Sequence, residues 1–208
     1  MSVIKRVVLL CALVLAPLLV QAAQYTEGVH YQRLAQPQPT STGDKIEVVE
    51  IFWYGCPHCF RIEPYVERWL RRKPQNAEFV RMPGILRPSW ENHGRAYYTA
   101  KLLGVFDKIH RPLFNAIHLE KRPLNTDEAL MDFFAQFGVD KEKFIKTFRS
   151  FSVETRIRRA KTMAMRYGIN GVPAFVVNGK YLVTNRMTGG NAQTMKVISY
   201  LVKKESGS

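Results

Sequence analysis

The spacing of apolar and polar residues changes character several times along these 208 residues. Val7 to Val20 is an uncharged apolar run, interrupted only by Pro17 and preceded by Lys5 and Arg6. Val20 and Ala22 place short side chains where an export peptidase cuts. This three-part pattern predicts a cleaved export signal over 1–22. At about 14 residues the run is too short to cross a bilayer, which takes roughly 20.

A turn-rich connector, Pro37–Gly43, leads into "KIEVVEIFW" at 45–53. That run is rich in β-branched and aromatic residues, and a glycine follows soon after it. It predicts a buried strand. From Pro57 to Arg72 the period becomes helical: Phe60, Ile62, Tyr65, Val66, Trp69 and Leu70 can line one side. Pro64 falls inside that helix and predicts a kink. "EFVRM" at 78–82 reads as the next strand, completing a parallel βαβ unit.

Ser89 to Tyr167 is helical almost throughout, punctuated by Gly104, Pro112, Pro123 and Gly138. Four or five helices fit. Ser89 is a candidate cap for a helix starting at Trp90. Thr126 is another, with Asp127 and Glu128 well placed in the first turn behind it. Strands return in "AFVVNGKYLVT" at 174–184, where Asn178-Gly179 predicts a two-residue hairpin turn. A last helix from about Asn191 would face inward with Met195, Ile198, Leu201 and Val202. The order predicts an α/β domain, 23–87 and 161–208, interrupted by a helical insertion over 88–160.

Charge changes this picture little. Removing Lys5 and Arg6 with the signal lowers the formal charge from +14 to +12. The clusters Arg68–Lys73 and Arg156–Lys161 alternate with apolar residues and read as solvated helix faces. Nucleic acid would suit the charge but not an exported chain. A weak attraction to an anionic membrane surface is compatible with it. No second apolar segment is long enough to span a membrane.

The cysteines change the picture most. Cys11 would leave with the signal, so Cys56 and Cys59 remain, two residues apart in "FWYGCPHCF". Zinc needs three or four ligands, and neither a second C-x-x-C nor an H-x3–5-H pair accompanies these two. Covalent haem attachment needs His where Phe60 stands. A structural disulfide over so small a loop restrains the unfolded chain little. A reactive dithiol fits best. The pair sits where a strand meets a helix N-terminus, and the helix dipole and free N–H groups favour a thiolate. Pro57 occupies the first helical turn, where its missing N–H costs nothing. His58 stands beside the first sulfur. An imidazole that favours the Cys56 thiolate stabilises the reduced form and makes the disulfide more oxidising. Glu50 shares a strand face with Ile46, Val48 and Phe52, an expensive place for a charge.

"EIFWYGCPHC" after a strand and "GVPAFVVNG" over 100 residues later resemble the thioredoxin superfamily. The CPHC sequence, the export signal and the insertion resemble, within it, the DsbA family of bacterial periplasmic dithiol oxidases. The resemblance covers nearly all of the exported chain. It implies a thioredoxin fold with a helical domain between the βαβ and ββα halves. Cys56 would be the exposed nucleophile, and Cys59 the buried partner that resolves mixed disulfides. Val172-Pro173 would be the cis-proline loop packed against the pair, its backbone an edge for an extended substrate segment. On composition alone, a trans turn at Pro173 is as good. Glu50 resembles the acid under the pair that assists proton transfer at Cys59, and Glu63 matches another acid near the site. Reduced exported proteins would be the substrates, and an inner-membrane quinone reductase of the DsbB kind would restore the disulfide. A monomer without metal or small organic cofactor is implied. Tyr54-Gly55 before the pair, and two prolines between Met82 and Trp90, depart from the best-known pattern. A disulfide isomerase or reductase on the same fold, or a chaperone-like binding module, are the rivals.

Overall fold

A computed structural model describes residues 25–207 of the chain. The expected export signal, with Cys11, lies outside the described residues. Among the described residues no helix is long and apolar enough to cross a membrane.

The centre is a five-stranded sheet in the order β1-β5-β4-β2-β3. Strand β2 (Ile46–Phe52) is buried along its whole length, as a strand covered on both faces must be. It pairs parallel with β3 (Ala77–Pro83) across the helix α1 (Pro57–Leu70), which forms the expected βαβ unit. On its other edge β2 pairs antiparallel with β4 (Ala174–Val177), which pairs with β5 (Tyr181–Thr184). Strand β1 (Gln32–Arg33) closes the sheet. It is two polar residues long and has no periodicity to betray it.

In the hairpin, Asn178 and Gly179 take φ of 50° and 62°, and Lys180 N–H donates to the Val177 carbonyl at 3.0 Å. The ladder resumes at Val177 against Tyr181. Three residues therefore connect the strands, not the two expected. Gly179 is also pressed on by the N-terminal connector. A Cβ there would fall 2.0 Å from the Gln38 carbonyl oxygen.

Between the halves lie a 3-10 turn (Pro88–Trp90) and five helices, α2 (Glu91–Leu102), α3 (Phe106–His118), α4 (Asp127–Ala135), α5 (Lys141–Phe148) and α6 (Phe151–Arg166). Thr126 caps α4 as expected, accepting the Ala129 N–H at 3.2 Å. Ser89 does not cap. Pro88, with its fixed φ, starts the 3-10 turn, and Trp90 becomes the N-cap of α2 without a side-chain bond. Pro112 does not end a helix either. It stands inside α3, where burial of Ile109, Leu113 and Phe114 outweighs one missing backbone bond. A short helix α7 (Asn185–Thr188) precedes α8 (Asn191–Glu205), whose Met195, Ile198, Leu201 and Val202 are buried as expected.

Three apolar clusters hold these layers. Helices α1 and α8 cover one sheet face, with Ile62, Val66 and Leu201 against Val48 and Phe175. Helix α6 covers the other, with Val153, Ile157 and Ala160 against Val49, Ile51 and Val176. Residue 160 thus lies inside a continuous helix that belongs as much to the sheet as to the insertion. The third cluster fills the insertion with phenylalanines 114, 133, 134, 144 and 148. It extends to Phe52, Tyr54, Cys56 and Cys59, so the cysteine pair sits where the two units meet.

Candidate active site

Cys56 follows the turn after β2 and is the N-cap of α1, with extended φ and ψ. Its N–H donates to the Trp53 carbonyl, and its own carbonyl accepts the Phe60 N–H, both at 3.0 Å. Pro57 takes the first helical position as expected. Both sulfurs are free thiols. Cys56 is 7% exposed and Cys59 not at all. The expectation of an exposed nucleophile is therefore corrected: Cys56 is only the less buried of the two. Pro57 and His58 hold the exposed positions, while the loop at Val172 closes over the sulfur. Val172-Pro173 is cis, and Cys56 Sγ donates to the Val172 carbonyl oxygen at 3.4 Å.

The two sulfurs differ electrostatically. Cys56 is lowered to about 6, first by a hydrogen bond from the Cys59 thiol, then by the N–H groups of Cys59 and His58 and by the His58 ring. Burial opposes this without overcoming it. Burial pushes Cys59 well above the ordinary thiol range, and a neighbouring Cys56 thiolate adds to the shift. His58 therefore helps, but behind the second cysteine and the helix N-terminus. Its Nδ1 is 3.0 Å from Arg61 Nη2. A guanidinium can only donate, so Nδ1 accepts there.

Beneath the pair lies a buried charge cluster. Glu50 on β2 stands in register with Arg81 on β3. Arg81 Nη2 donates to Glu63 Oε2 at 3.1 Å. Arg81 Nε comes within 3.0 Å of Glu50 Oε2 but is misaligned, so both Glu50 oxygens lack a well-formed hydrogen bond. Burial, and then the Glu63 charge, push Glu50 up to about 8 against the pull of Arg81. Burial also raises Glu63, but His110 and Arg81 outweigh it and hold Glu63 below the usual carboxyl range. Glu50 and Glu63 are both buried, as an acid among apolar neighbours and an acid near the site are expected to be.

Helix α3 grips the cysteine loop through two histidines two turns apart. His110 Nδ1 lies 2.9 Å from the Tyr54 hydroxyl, and His118 Nε2 donates to the Tyr54 carbonyl at 2.7 Å. His118 also stacks on Phe60, with ring centroids 4.9 Å apart. Trp53 stacks flat on Trp90 at 4.2 Å. That stack explains Gly55, where a Cβ would fall 2.3 Å from the Trp53 ring.

The sequence alone assigns no role at the site to Arg81, His110, His118 or the tryptophan pair, and marks Tyr54 only as a departure from the best-known pattern. The charge in "EFVRM", inside an apolar strand, was the available signal for Arg81. Histidines at 110 and 118 with Phe114 between them mark one helical face, the signal for the grip. Among the described residues no group of three or more His, Cys, Asp or Glu side chains is placed to hold a metal ion.

Comparisons with known proteins agree with this geometry. Residues 85–201 match the family described as DSBA-like thioredoxin domain. The thiol:disulfide interchange protein DsbA of Pseudomonas aeruginosa is 43% identical over 204 residues, covering 97% of each chain. The crystal structure of Pseudomonas aeruginosa DsbA superposes with a TM-score of 0.85 at 44% identity, over 89% of this chain and 97% of that one. The oxidoreductase DsbA from Xylella fastidiosa superposes with a TM-score of 0.83 at 32% identity, over 88% and 99%. By fold, by cysteine site and by these relatives, the chain belongs to the DsbA family of thioredoxin-fold thiol:disulfide oxidoreductases.

Proposed function

We propose that this chain is exported to the periplasm and oxidises dithiols there by giving away its Cys56–Cys59 disulfide. A thiolate of a reduced exported protein attacks Cys56 Sγ. The intramolecular S–S bond breaks, a mixed disulfide forms, and Cys59 leaves and takes a proton, with Glu50 as its source. A second substrate thiolate attacks the substrate's own bridged sulfur, and Cys56 leaves as a thiolate. The substrate loses two electrons and two protons, and the dithiol gains the electrons. An inner-membrane quinone reductase of the DsbB kind takes them on, restoring the disulfide in a monomer that needs no metal.

The asymmetry of the two sulfurs carries this reading. The Cys56 thiolate is favoured, so it is a good leaving group, and the reduced pair is the stable one. The backbone at Val172 and Pro173 lies against Cys56 and supports a role in seating an extended substrate segment. The test is oxidation of a reduced, unfolded model substrate under limiting oxidant, followed by loss of free thiols. Cys56→Ser and Cys59→Ser are each expected to abolish turnover, since neither variant can form the disulfide that is given away. A Cys56→Ser variant that oxidises substrate at the unsubstituted rate overturns the proposal.

A further inference from the structure

Glu50 and Glu63 share a single guanidinium, Arg81, and all three are largely withdrawn from water. Two buried carboxylates facing one cation leave an uncompensated charge, so the cluster retains a proton. The chain must determine which acid holds it. Arg81 gives its one aligned bond to Glu63 and only a misaligned approach to Glu50. Glu63 has a second neighbour that Glu50 lacks, His110 Nε2 at 3.4 Å, near enough to favour the carboxylate through its dipole although, like Arg81 Nε on Glu50, it is not aligned as a hydrogen bond. The Tyr54 hydroxyl bears on the state of that ring. Burial keeps the phenol protonated, so it has a hydrogen to give to Nδ1; the tautomer that accepts it carries the ring hydrogen on Nε2, facing Glu63, and is the one that a role for His110 toward Glu63 requires. Burial also keeps His110 neutral, since it lowers the ring's affinity for a second proton. The remaining charged neighbours act more weakly: Arg111, 3.9 Å from Glu67 toward the surface, adds a smaller pull toward ionised Glu63 than His110 or Arg81, and Glu67 a small pull toward protonated His110. Tyr97 donates to the Arg81 carbonyl.

We propose that His110 is a positioning residue: through Nε2–H it holds Glu63 as the ionised partner of Arg81 and so leaves the exchangeable proton on Glu50, the acid that acts on Cys59. The helical insertion thereby sets the protonation of a site it does not itself contain. This rests on the reading above that Glu50 exchanges a proton with Cys59.

The test is carbon-13 NMR of the glutamate side-chain carboxyls in the reduced protein, titrated with pH and assigned through Glu50→Gln and Glu63→Gln. Glu63 is expected to titrate well below Glu50. His110→Leu, which keeps bulk and loses the donor, should raise the Glu63 midpoint and lower that of Glu50, each by about one pH unit, a tenfold redistribution. His110→Gln, which keeps an N–H donor, should restore most of the difference. Tyr54→Phe, which frees the tautomer, should move Glu63 upward and carries the test alone if the leucine variant does not fold. Midpoints that stay within about 0.2 unit in a folded variant overturn the proposal. The pH profile of disulfide exchange separates this from the underlying reading. Midpoints that move while the profile does not leave His110 in its role and remove Glu50 from proton transfer. A Glu50→Gln variant that slows exchange, beside His110 variants with unmoved midpoints, does the reverse.

Discussion

Cys56 Sγ lies 3.4 Å from the carbonyl oxygen of Val172, 116 residues further along the chain. Two segments that sequence distance separates meet at the reacting sulfur. One supplies a helix N-terminus and the other a backbone edge. The first stabilises negative charge on Cys56, and several measurable properties follow from that charge.

The Cys56 thiolate should titrate near pH 6 when followed by its ultraviolet absorbance. His58→Ala should raise that midpoint and still leave it below an ordinary thiol, because the Cys59 thiol and the helix N–H groups remain. A midpoint near 9 in that variant would assign the whole effect to histidine.

Reduction should stabilise the fold, and by an amount that depends on pH. Cys56 is depressed in the folded state from an ordinary 9.0 to about 6. Its contribution is therefore complete above the ordinary value and is lost as pH falls through about 6. At pH 7 it amounts to about 1.4 kcal/mol. Cys59 is shifted the other way, so its contribution fades in alkali as the unfolded thiol ionises. The melting temperature of the reduced form, less that of the oxidised form, should grow from pH 6 to pH 8 and shrink below pH 6. A difference independent of pH contradicts the assignment.

Glu50→Gln should stabilise the protein above neutrality. Glu50 is raised in the folded state, so the stability of its protonated form is complete below the ordinary 4.5 and is lost as pH rises through about 8. Glutamine has no proton to lose. Thermal melts should favour the variant by about 3–6 °C at pH 8 and show little difference at pH 4. Disulfide exchange should slow at the same time. Equal melting at both pH values would place a charged Glu50 in the native state.

Gly179→Ala should cost about 2 kcal/mol or more in chemical denaturation, since it combines a φ of 62° with a Cβ 2.0 Å from the Gln38 oxygen. Gly28→Ala is the comparison: its φ is 84°, but nothing lies within 4 Å of the added carbon. It should cost about 1 kcal/mol. Equal costs would mean that the connector yields.

What sequence periodicity made legible is what short stretches decide. Strand β2, the helix after it, the positive-φ turn at Asn178-Gly179 and the buried face of α8 all follow from residues within one turn or one strand of each other. The reactive character of the pair was legible for the same reason, because strand, cysteine, proline and helix are contiguous. Arg81 was not, because its meaning lies in standing opposite Glu50, and register emerges only when strands pair. His110 and His118 read as ordinary helix residues until α3 docks on Tyr54. Ser89 lost its capping role to a neighbouring proline. Cys56 proved buried because distant Val172 covers it.

The direction of electron flow is tested most directly by equilibrating the protein in glutathione buffers and reading the Cys56–Cys59 pair by thiol alkylation. A thiolate stabilised as Cys56 is should keep the pair mostly reduced even in buffers as oxidising as about −180 mV. A pair that stays oxidised down to about −300 mV, where structural disulfides lie, would contradict a disulfide donor.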